Sequence, residues 1–172
     1  MFQLRITTRF ACARACADAG ATHLIGIADP DVPLPTPPGL TAAHHLRLHF
    51  ADVAHGHLNW AASPSKVAAL LRFAKDLTDD DVLIIHCEAG RSRSPAAAIA
   101  VLAQTYGVAG LDRAVADVFA LRPQAKPNPL VIALADDLLD LDGRLSAAVS
   151  ARPVYLNLDD HPDRHHPDHH PG

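Results

Sequence analysis

The stretch VLIIHCEAGRSRS, residues 82–94, decides the predicted fold of the whole chain. It opens with four consecutive apolar residues, a pattern typical of a strand that is covered on both faces. Small and polar residues follow, and an alanine-rich run over 96–106 then predicts a helix that ends at Gly107. The sequence therefore predicts a loop at the carboxyl end of a buried strand, directly before a helix N-terminus. In α/β sheets this is the edge at which ligands bind.

The loop between Cys87 and Arg93 has the composition of an anion-binding loop. Its five intervening residues are enough to turn successive backbone N–H groups toward a tetrahedral anion. Gly90 allows a backbone conformation that other residues resist. The following helix directs the positive end of its dipole to the same point. The residues expected to bind a phosphate group are Glu88, Ala89, Gly90, Arg91, Ser92 and Arg93.

Four side chains in and next to this loop are expected to take part in a chemical reaction or to support it. Cys87 is expected to be a thiolate nucleophile, because the helix end, the loop amides and Arg93 all favour a negative charge there. The planar guanidinium of Arg93 can hold two oxygens while a phosphoryl group passes through its flattened transition state. The hydroxyl of Ser94 can donate a hydrogen bond to the thiolate when it must leave. We expect His86 to hydrogen-bond to backbone near the loop and to support Cys87.

These residues resemble a known signature. His86-Cys87-x-x-Gly90-x-x-Arg93-Ser94 is similar to the signature of the cysteine-dependent protein tyrosine and dual-specificity phosphatases, in the compact form of the bacterial-type tyrosine phosphatases. Downstream, RPQAKPN at 122–128 resembles a segment found in many dual-specificity members. Upstream, LHFADV at 48–53 resembles the strand and loop that supply their general acid. The order of elements is similar over roughly residues 1–149.

The resemblance implies phosphomonoester hydrolysis in two steps, with no cofactor and no metal. Cys87 attacks phosphorus to form a phosphocysteine, while Arg93 and the loop amides bind the equatorial oxygens. An aspartic acid protonates the leaving oxygen and then activates water. We expect Asp52, which precedes Cys87 by 35 residues, to be this acid. Asp29 and Asp31 in the proline-rich loop are the alternatives.

The supporting residue expected downstream is Asn128. The expected substrate is a phosphoprotein or a small phosphomonoester, with phosphotyrosine first. Phosphoserine and phosphothreonine are further candidates, because no phosphotyrosine-recognition loop is recognisable. A site for inositol phosphates would carry more basic residues at the variable loop positions. Two other functions stay open: a pseudophosphatase that only binds phosphoproteins, and an arsenate reductase that uses Cys12 and Cys16 as well.

The rest of the chain predicts an α/β fold with a central, mainly parallel sheet flanked by helices, because short strand-like runs alternate with helix-like ones. Strands are predicted at 4–6, 23–27, 44–50 and 82–86. Helices are predicted at 8–19, 64–77, 96–106, 111–121 and 130–149. Five prolines within residues 29–39 predict an irregular surface loop.

Composition and charge limit the classes of partner and the cellular location that we expect for this protein. The 172 residues are 49% hydrophobic and 20% charged, which is typical of one globular domain. The net charge of −4 disfavours partners such as nucleic acid or an anionic membrane. Three cysteines make an odd count and the first residues lack a secretory signal, so we expect a reducing cytoplasm. The sequence shows no interface from which to infer an oligomer.

The chain is expected to divide into a catalytic domain at residues 1–151 and a disordered tail at 152–172. The tail holds four of the fourteen prolines and five of the twelve histidines, which disfavours a packed core. The tail histidines are expected to be solvated, like His44, His45, His49, His55 and His57 near the acid loop. Cys12 and Cys16 are expected to be packing residues of the first helix.

Overall fold

Four strands form one sheet in the computed structural model, which describes residues 1–56 and 59–152. The strands are β1 (Gln3–Thr8), β2 (His23–Ala28), β3 (His45–His49) and β4 (Val82–Cys87). Their order is β1-β4-β2-β3, and every neighbouring pair is parallel. The predicted parallel α/β fold is confirmed. Residues 153–172 of the expected tail and His57 lie outside the described residues.

Strand β4 is buried along its whole length, as its continuous apolar run predicts. Ile84 faces a small core that it shares with Leu24 and the first helix. Leu83 and Ile85 face the larger core on the other side of the sheet. All three of these β4 side chains are fully buried. The strand that ends at Cys87 is therefore held from both faces and by both neighbouring strands.

Helices cover both faces of the sheet. One face carries α1 (Cys12–Ala19), whose cysteines pack in the small core. The opposite face carries the other helices, which are α2 (Pro64–Ala74), α3 (Arg93–Tyr106), α4 (Leu111–Leu121), α5 (Pro129–Leu138) and α6 (Arg144–Ser150). Helix α3 is buried from Arg93 to Ala103, and its alanines allow this close approach to the sheet. Among the described helices, none combines the length and apolar character needed to cross a membrane.

The single long helix predicted over 130–149 is wrong, because the chain breaks it into α5 and α6. Asp140, Asp142 and Gly143 have positive φ angles of 53°, 52° and 80°. The carboxylate of Asp136 stabilises the break by accepting hydrogen bonds from the backbone N–H of Gly143 at 3.0 Å and of Ser146 at 2.7 Å. The apolar pattern continues across the break, which is why the sequence pattern did not reveal it.

The start of the first helix was also predicted too early. Residues 7 and 8 continue strand β1, where Thr8 pairs with Cys87, and α1 begins only at Cys12. Between them, Arg9 donates its backbone N–H to the carbonyl of Cys87 at 2.8 Å. This pairing holds residues 8–11 beside the end of β4 instead of in a helix.

Two buried histidines lie against Gly26 in the centre of the sheet. A Cβ atom on Gly26 would lie 2.8 Å from His86 Nε2 and 3.2 Å from His45 Nε2, so only glycine leaves room for both rings. Burial lowers the pKa of His45 to about 4 and that of His86 to about 4. The folded protein therefore keeps both imidazoles neutral. His45 was expected to be solvated, but it is buried, because its ring lies against Gly26 and its Nδ1 hydrogen-bonds with Thr36 Oγ1 at 3.1 Å.

We predict that the free energy of unfolding falls as the pH drops from about 6.5 toward 4. The unfolded chain binds protons on both rings in this range, whereas the folded chain does not, and the stabilisation is complete above that range. Each ring should account for a loss of roughly 3 kcal/mol at the acid end. Urea unfolding across this range measures the effect.

His45→Gln should reduce the slope of stability against pH. Thr36→Val removes the hydrogen bond to His45 Nδ1 but keeps the ring, so it should lower stability by a similar amount at every pH. An unchanged slope in His45→Gln would contradict the assignment of the acid sensitivity to this ring.

Candidate active site

The loop after β4 is held by its carbonyl groups. The carbonyls of residues 87 and 88 accept the backbone N–H of Arg9 at 2.8 and 3.3 Å. The carbonyl of Arg91 accepts from Lys126 at 2.7 Å, and that of Ser92 accepts from Asn128 at 3.2 Å. These bonds tie the loop to the β1–α1 connection on one side and to residues 126–128 on the other.

The backbone N–H groups of the loop behave differently from its carbonyls. Within the described residues, none of the five amides at 88–92 donates a hydrogen bond. Gly90 has φ 65°, and a Cβ atom there would lie 2.8 Å from the carbonyl oxygen of Thr7. The predicted need for glycine is therefore confirmed by both conformation and space. Unpaired successive amides before a helix N-terminus are the donors that an anion requires.

Cys87 and Ser94 lie side by side at the base of the loop. Cys87 Sγ is 3.1 Å from Ser94 Oγ, and the two residues are 2% and 0% exposed. The strand fixes one and the first turn of α3 fixes the other. The structure thus brings the predicted nucleophile and its predicted hydrogen-bond donor into contact.

Arg93 lies beneath the loop with its guanidinium buried, at 4% exposure. Its Nη1 donates to Asp29 Oδ1 at 2.8 Å and to the carbonyl oxygen of Phe50 at 2.7 Å. Its Nε is buried and has no partner among the described residues. The planar edge that bears Nε therefore keeps its hydrogen-bonding capacity, whereas Nη1 is committed to protein groups.

Asp52 lies in an exposed loop that contacts residues 87–93, the loop for which the sequence predicts anion binding (the anion loop). Its Oδ1 accepts from Ser92 Oγ at 2.6 Å and from Asn128 Nδ2 at 2.7 Å. Asn128 also donates to the carbonyl oxygen of Val53 at 3.1 Å, and its Oδ1 caps α5 by accepting from Val131 N at 3.0 Å. The supporting residue therefore holds the expected acid loop against both the anion loop and α5.

The two alternative acids occupy different environments. Asp29 follows β2 directly and binds Arg93. Asp31 is exposed and makes no hydrogen bond or ion pair with a described residue. Of the three carboxylates, Asp52 contacts the anion loop itself and Asp29 contacts its arginine.

Glu88 at the loop rim forms an ion pair that the sequence did not reveal. Arg9 Nε and Nη2 donate to its two carboxylate oxygens at 2.7 and 3.1 Å. The Arg9 guanidinium keeps the pKa of Glu88 below its usual value. Sequence patterns could not find this pair, because its partners are 79 residues apart. Glu88 is thus neutralised by protein and adds little net charge to the rim.

The expected backbone contact of His86 is made to Cys87, but with poor hydrogen-bond geometry. Its Nδ1 is buried and has no partner of good geometry among the described residues. Burial lowers the pKa of this ring, and its interaction with the Cys87 backbone opposes that effect only in part. His86 therefore contributes a buried, neutral ring beside Cys87.

Cys12 and Cys16 lie on the buried face of α1 and pack in the small core, as predicted. Their sulfur atoms are 4.0 Å apart, and both residues are buried against Leu24 and Ile84. Within residues 1–56 and 59–152, no cluster of three or more histidine, cysteine or acidic side chains has a metal-binding arrangement.

The solved structures that this chain resembles include phosphatases and a phosphatase-like protein. Human DUSP28 is 26% identical, covering 80% of this chain and 92% of its own, with a TM-score of 0.58. A mouse dual specificity phosphatase complexed with zinc tungstate is 28% identical, covering 84% and 86%, with a TM-score of 0.58. The human tyrosine phosphatase-like serine/threonine/tyrosine-interacting protein is 21% identical, covering 81% and 92%, with a TM-score of 0.64.

No family model matches the sequence, and no curated protein matches it at a significant level. The similarity is therefore visible in the three-dimensional arrangement, where each of these three structures covers at least four-fifths of this chain. In fold, the chain therefore resembles the cysteine-dependent protein tyrosine and dual-specificity phosphatases, as the signature at residues 86–94 predicted.

Proposed function

We propose that this protein hydrolyses phosphomonoesters through a phosphocysteine intermediate. The observation that carries the proposal is the meeting of three features at the end of β4. These are the sulfur of Cys87 with a hydroxyl 3.1 Å away, the buried guanidinium of Arg93 with an unpaired Nε, and five loop amides without partners among the described residues. Together they offer a nucleophile inside an oxyanion-binding loop.

In the first step, the Cys87 thiolate attacks phosphorus. The new S–P bond forms as the P–O bond to the leaving group breaks, and the bonding electrons move to the leaving oxygen. Asp52 gives its proton to that oxygen, so the alcohol departs neutral. The loop amides and Arg93 bind the three equatorial oxygens, on which the charge is spread in the transition state.

In the second step, water releases the phosphate. The Asp52 carboxylate takes a proton from the water as its oxygen bonds to phosphorus, and the S–P bond breaks. The sulfur leaves as a thiolate, and the hydroxyl of Ser94 donates a hydrogen bond to it. The step ends with inorganic phosphate and the starting enzyme, so the cycle needs no cofactor.

We propose phosphotyrosine as the first substrate class, with phosphoserine and phosphothreonine as further candidates. Arg9 neutralises Glu88, so this position of the rim has no strong charge that would restrict the substrate to one of these esters. A rim that selected polyanionic inositol phosphates would need unpaired cations at this position. The general function does not depend on which of these esters is preferred.

The two rival functions have less support. A pseudophosphatase would lack the nucleophile, the arginine or the acid, whereas Cys87, Arg93 and Asp52 are all present here. An arsenate reductase would need further reactive thiols. Cys12 and Cys16 are buried in an apolar core and hydrogen-bond to each other, which does not present them to substrate.

Cys87→Ser should abolish turnover of p-nitrophenyl phosphate, by roughly 10⁴-fold or more, because the serine hydroxyl is not ionised at neutral pH. Binding of tungstate should stay within a few-fold, since Arg93 and the amides remain. Steady-state kinetics and calorimetry measure the two effects. The matched control is Cys12→Ala, which should leave turnover unchanged. Hydrolysis retained by Cys87→Ser would refute the mechanism.

Asp52→Asn should slow an alkyl phosphate such as phosphoserine by about 10²–10⁴-fold and an aryl phosphate far less, because only a poor leaving group needs the proton. The asparagine oxygen can still accept from Ser92 and Asn128, so the loop geometry should survive. The basic limb of the pH–rate profile should also flatten. Equal losses for both substrates, with that limb unchanged, would reject Asp52, and Asp31→Asn serves as the control.

We further propose that residues 1–151 form the complete catalytic unit. Deleting residues 152–172 should then change the thermal unfolding midpoint and the turnover of p-nitrophenyl phosphate very little in metal-free buffer. Thermal denaturation and kinetics on the full and shortened chains test this. A large loss of stability would show that the last residues pack on the domain.

A further inference from the structure

We propose that Asp29 is a positioning residue that orients the guanidinium of Arg93 for binding the phosphoryl group. The inference rests on the proposed function and assigns to Asp29 a role different from that of a general acid. The observation that supports it is the set of hydrogen bonds that the buried side chain of Arg93 makes and leaves unmade.

The guanidinium of Arg93 has five N–H donors in one plane, two of them on Nη1. Two protein acceptors meet Nη1, namely Asp29 Oδ1 at 2.8 Å and the carbonyl oxygen of Phe50 at 2.7 Å. Both Nη1 hydrogens are therefore used. Nε is buried without a partner among the described residues, so the edge formed by Nε and Nη2 is the one left for an oxyanion.

The sheet fixes both acceptors of Nη1 in space. Asp29 is the first residue after β2, and Phe50 is the first residue after β3. The backbone N–H of Phe50 donates to the carbonyl of Ala28 at 2.9 Å, which extends the pairing of the two strands. The two acceptors thus come from neighbouring strand ends with a set separation, and together they set the rotation of the guanidinium plane.

Removing Asp29 would leave one Nη1 hydrogen of a buried cation without a protein acceptor. Water can enter the space that the carboxylate leaves, but a mobile water does not hold the guanidinium plane as an oxygen fixed at the end of β2 does. The guanidinium would then turn to find another partner, and its free edge would lose alignment with the loop amides. The carboxylate of Asp29 itself is 57% exposed, so its own desolvation is small.

The charge of Asp29 works against anion binding while its hydrogen bond supports it. A carboxylate 2.8 Å from Nη1 reduces the positive field that a phosphate dianion meets. An asparagine at this position keeps an oxygen acceptor but removes the charge. Orientation and charge therefore both predict that Asp29→Asn binds an anion at least as tightly as the parent. In Asp29→Ala the two effects oppose each other, so weaker anion binding by that variant would show that the loss of orientation outweighs the loss of charge.

The decisive experiment titrates tungstate by calorimetry into the full chain carrying Cys87→Ser, alone and combined with Asp29→Ala, Asp29→Asn or Asp31→Ala. Asp29→Ala should weaken tungstate binding by roughly 10- to 100-fold, the loss expected for a hydrogen bond to a buried charged group. Asp29→Asn should bind at least as tightly as the parent. Asp31→Ala, from the same loop but without contacts among the described residues, should match the parent.

Kinetics of the same substitutions with Cys87 intact separate positioning from proton transfer. Asp29→Ala should lower kcat/KM for aryl and alkyl phosphates by a similar factor and keep the basic limb of the pH profile. A loss confined to the alkyl substrate would overturn the proposal and make Asp29 the acid. Unchanged tungstate binding by Asp29→Ala would overturn it as well, even where the parent is an active phosphatase.

Another set of outcomes distinguishes a failure of the proposed function from a failure of the positioning role. If the parent binds tungstate, Asp29→Ala weakens that binding and the chain with Cys87 intact hydrolyses no phosphomonoester, then the positioning role stands and the hydrolytic function fails. Circular dichroism of each variant checks folding. Should Asp29→Ala not fold, the kinetics of Asp29→Asn separate the two roles. Retained turnover of the alkyl phosphate supports positioning, whereas a loss confined to that substrate makes Asp29 the acid and overturns the proposal.

Discussion

The hydrogen bonds that fasten the carbonyl groups of residues 87, 88, 91 and 92 to the surrounding chain are the constraint on which the rest of the site depends. A loop of this length has one donor and one acceptor at each residue, and it cannot direct both inward. Once the acceptors are bound to Arg9, Lys126 and Asn128, the donors remain for a ligand. The unpaired state of the loop donors is thus a consequence of the contacts that hold the loop from outside.

The partners in these contacts are distant in sequence, and the parallel sheet is what brings them together. Strands β1, β2 and β4 run in the same direction, so their carboxyl ends lie at one edge. Arg9, Asp29 and Cys87 each stand at or just beyond such an end. Arg93 reaches back from α3 to this edge and joins the ends of β2 and β3 through a single nitrogen atom.

The sequence predicted those parts of the molecule that depend on local pattern. The buried strand β4, the glycine at position 90 and the contact of Cys87 with Ser94 follow from residues that are close together in the chain. Ion pairs between residues far apart in the chain were not predicted. Nothing in the sequence near Glu88 indicates that Arg9, 79 residues away, is its partner. The long helix over 130–149 failed for another reason, since its apolar period runs on through a break that a single carboxylate stabilises.

Burial differs sharply between the residues proposed to react. Cys87, Arg93 and Ser94 are at most 4% exposed, whereas Asp52 lies in an exposed loop. In the proposed mechanism, this gradient matches the path of the substrate, with phosphorus bound at the base and the leaving oxygen toward solvent. The acid must therefore be held at the rim by contacts of its own, and Ser92 and Asn128 provide them. Because Asn128 also caps α5, the position of the acid is tied to the helical layer as well as to the anion loop.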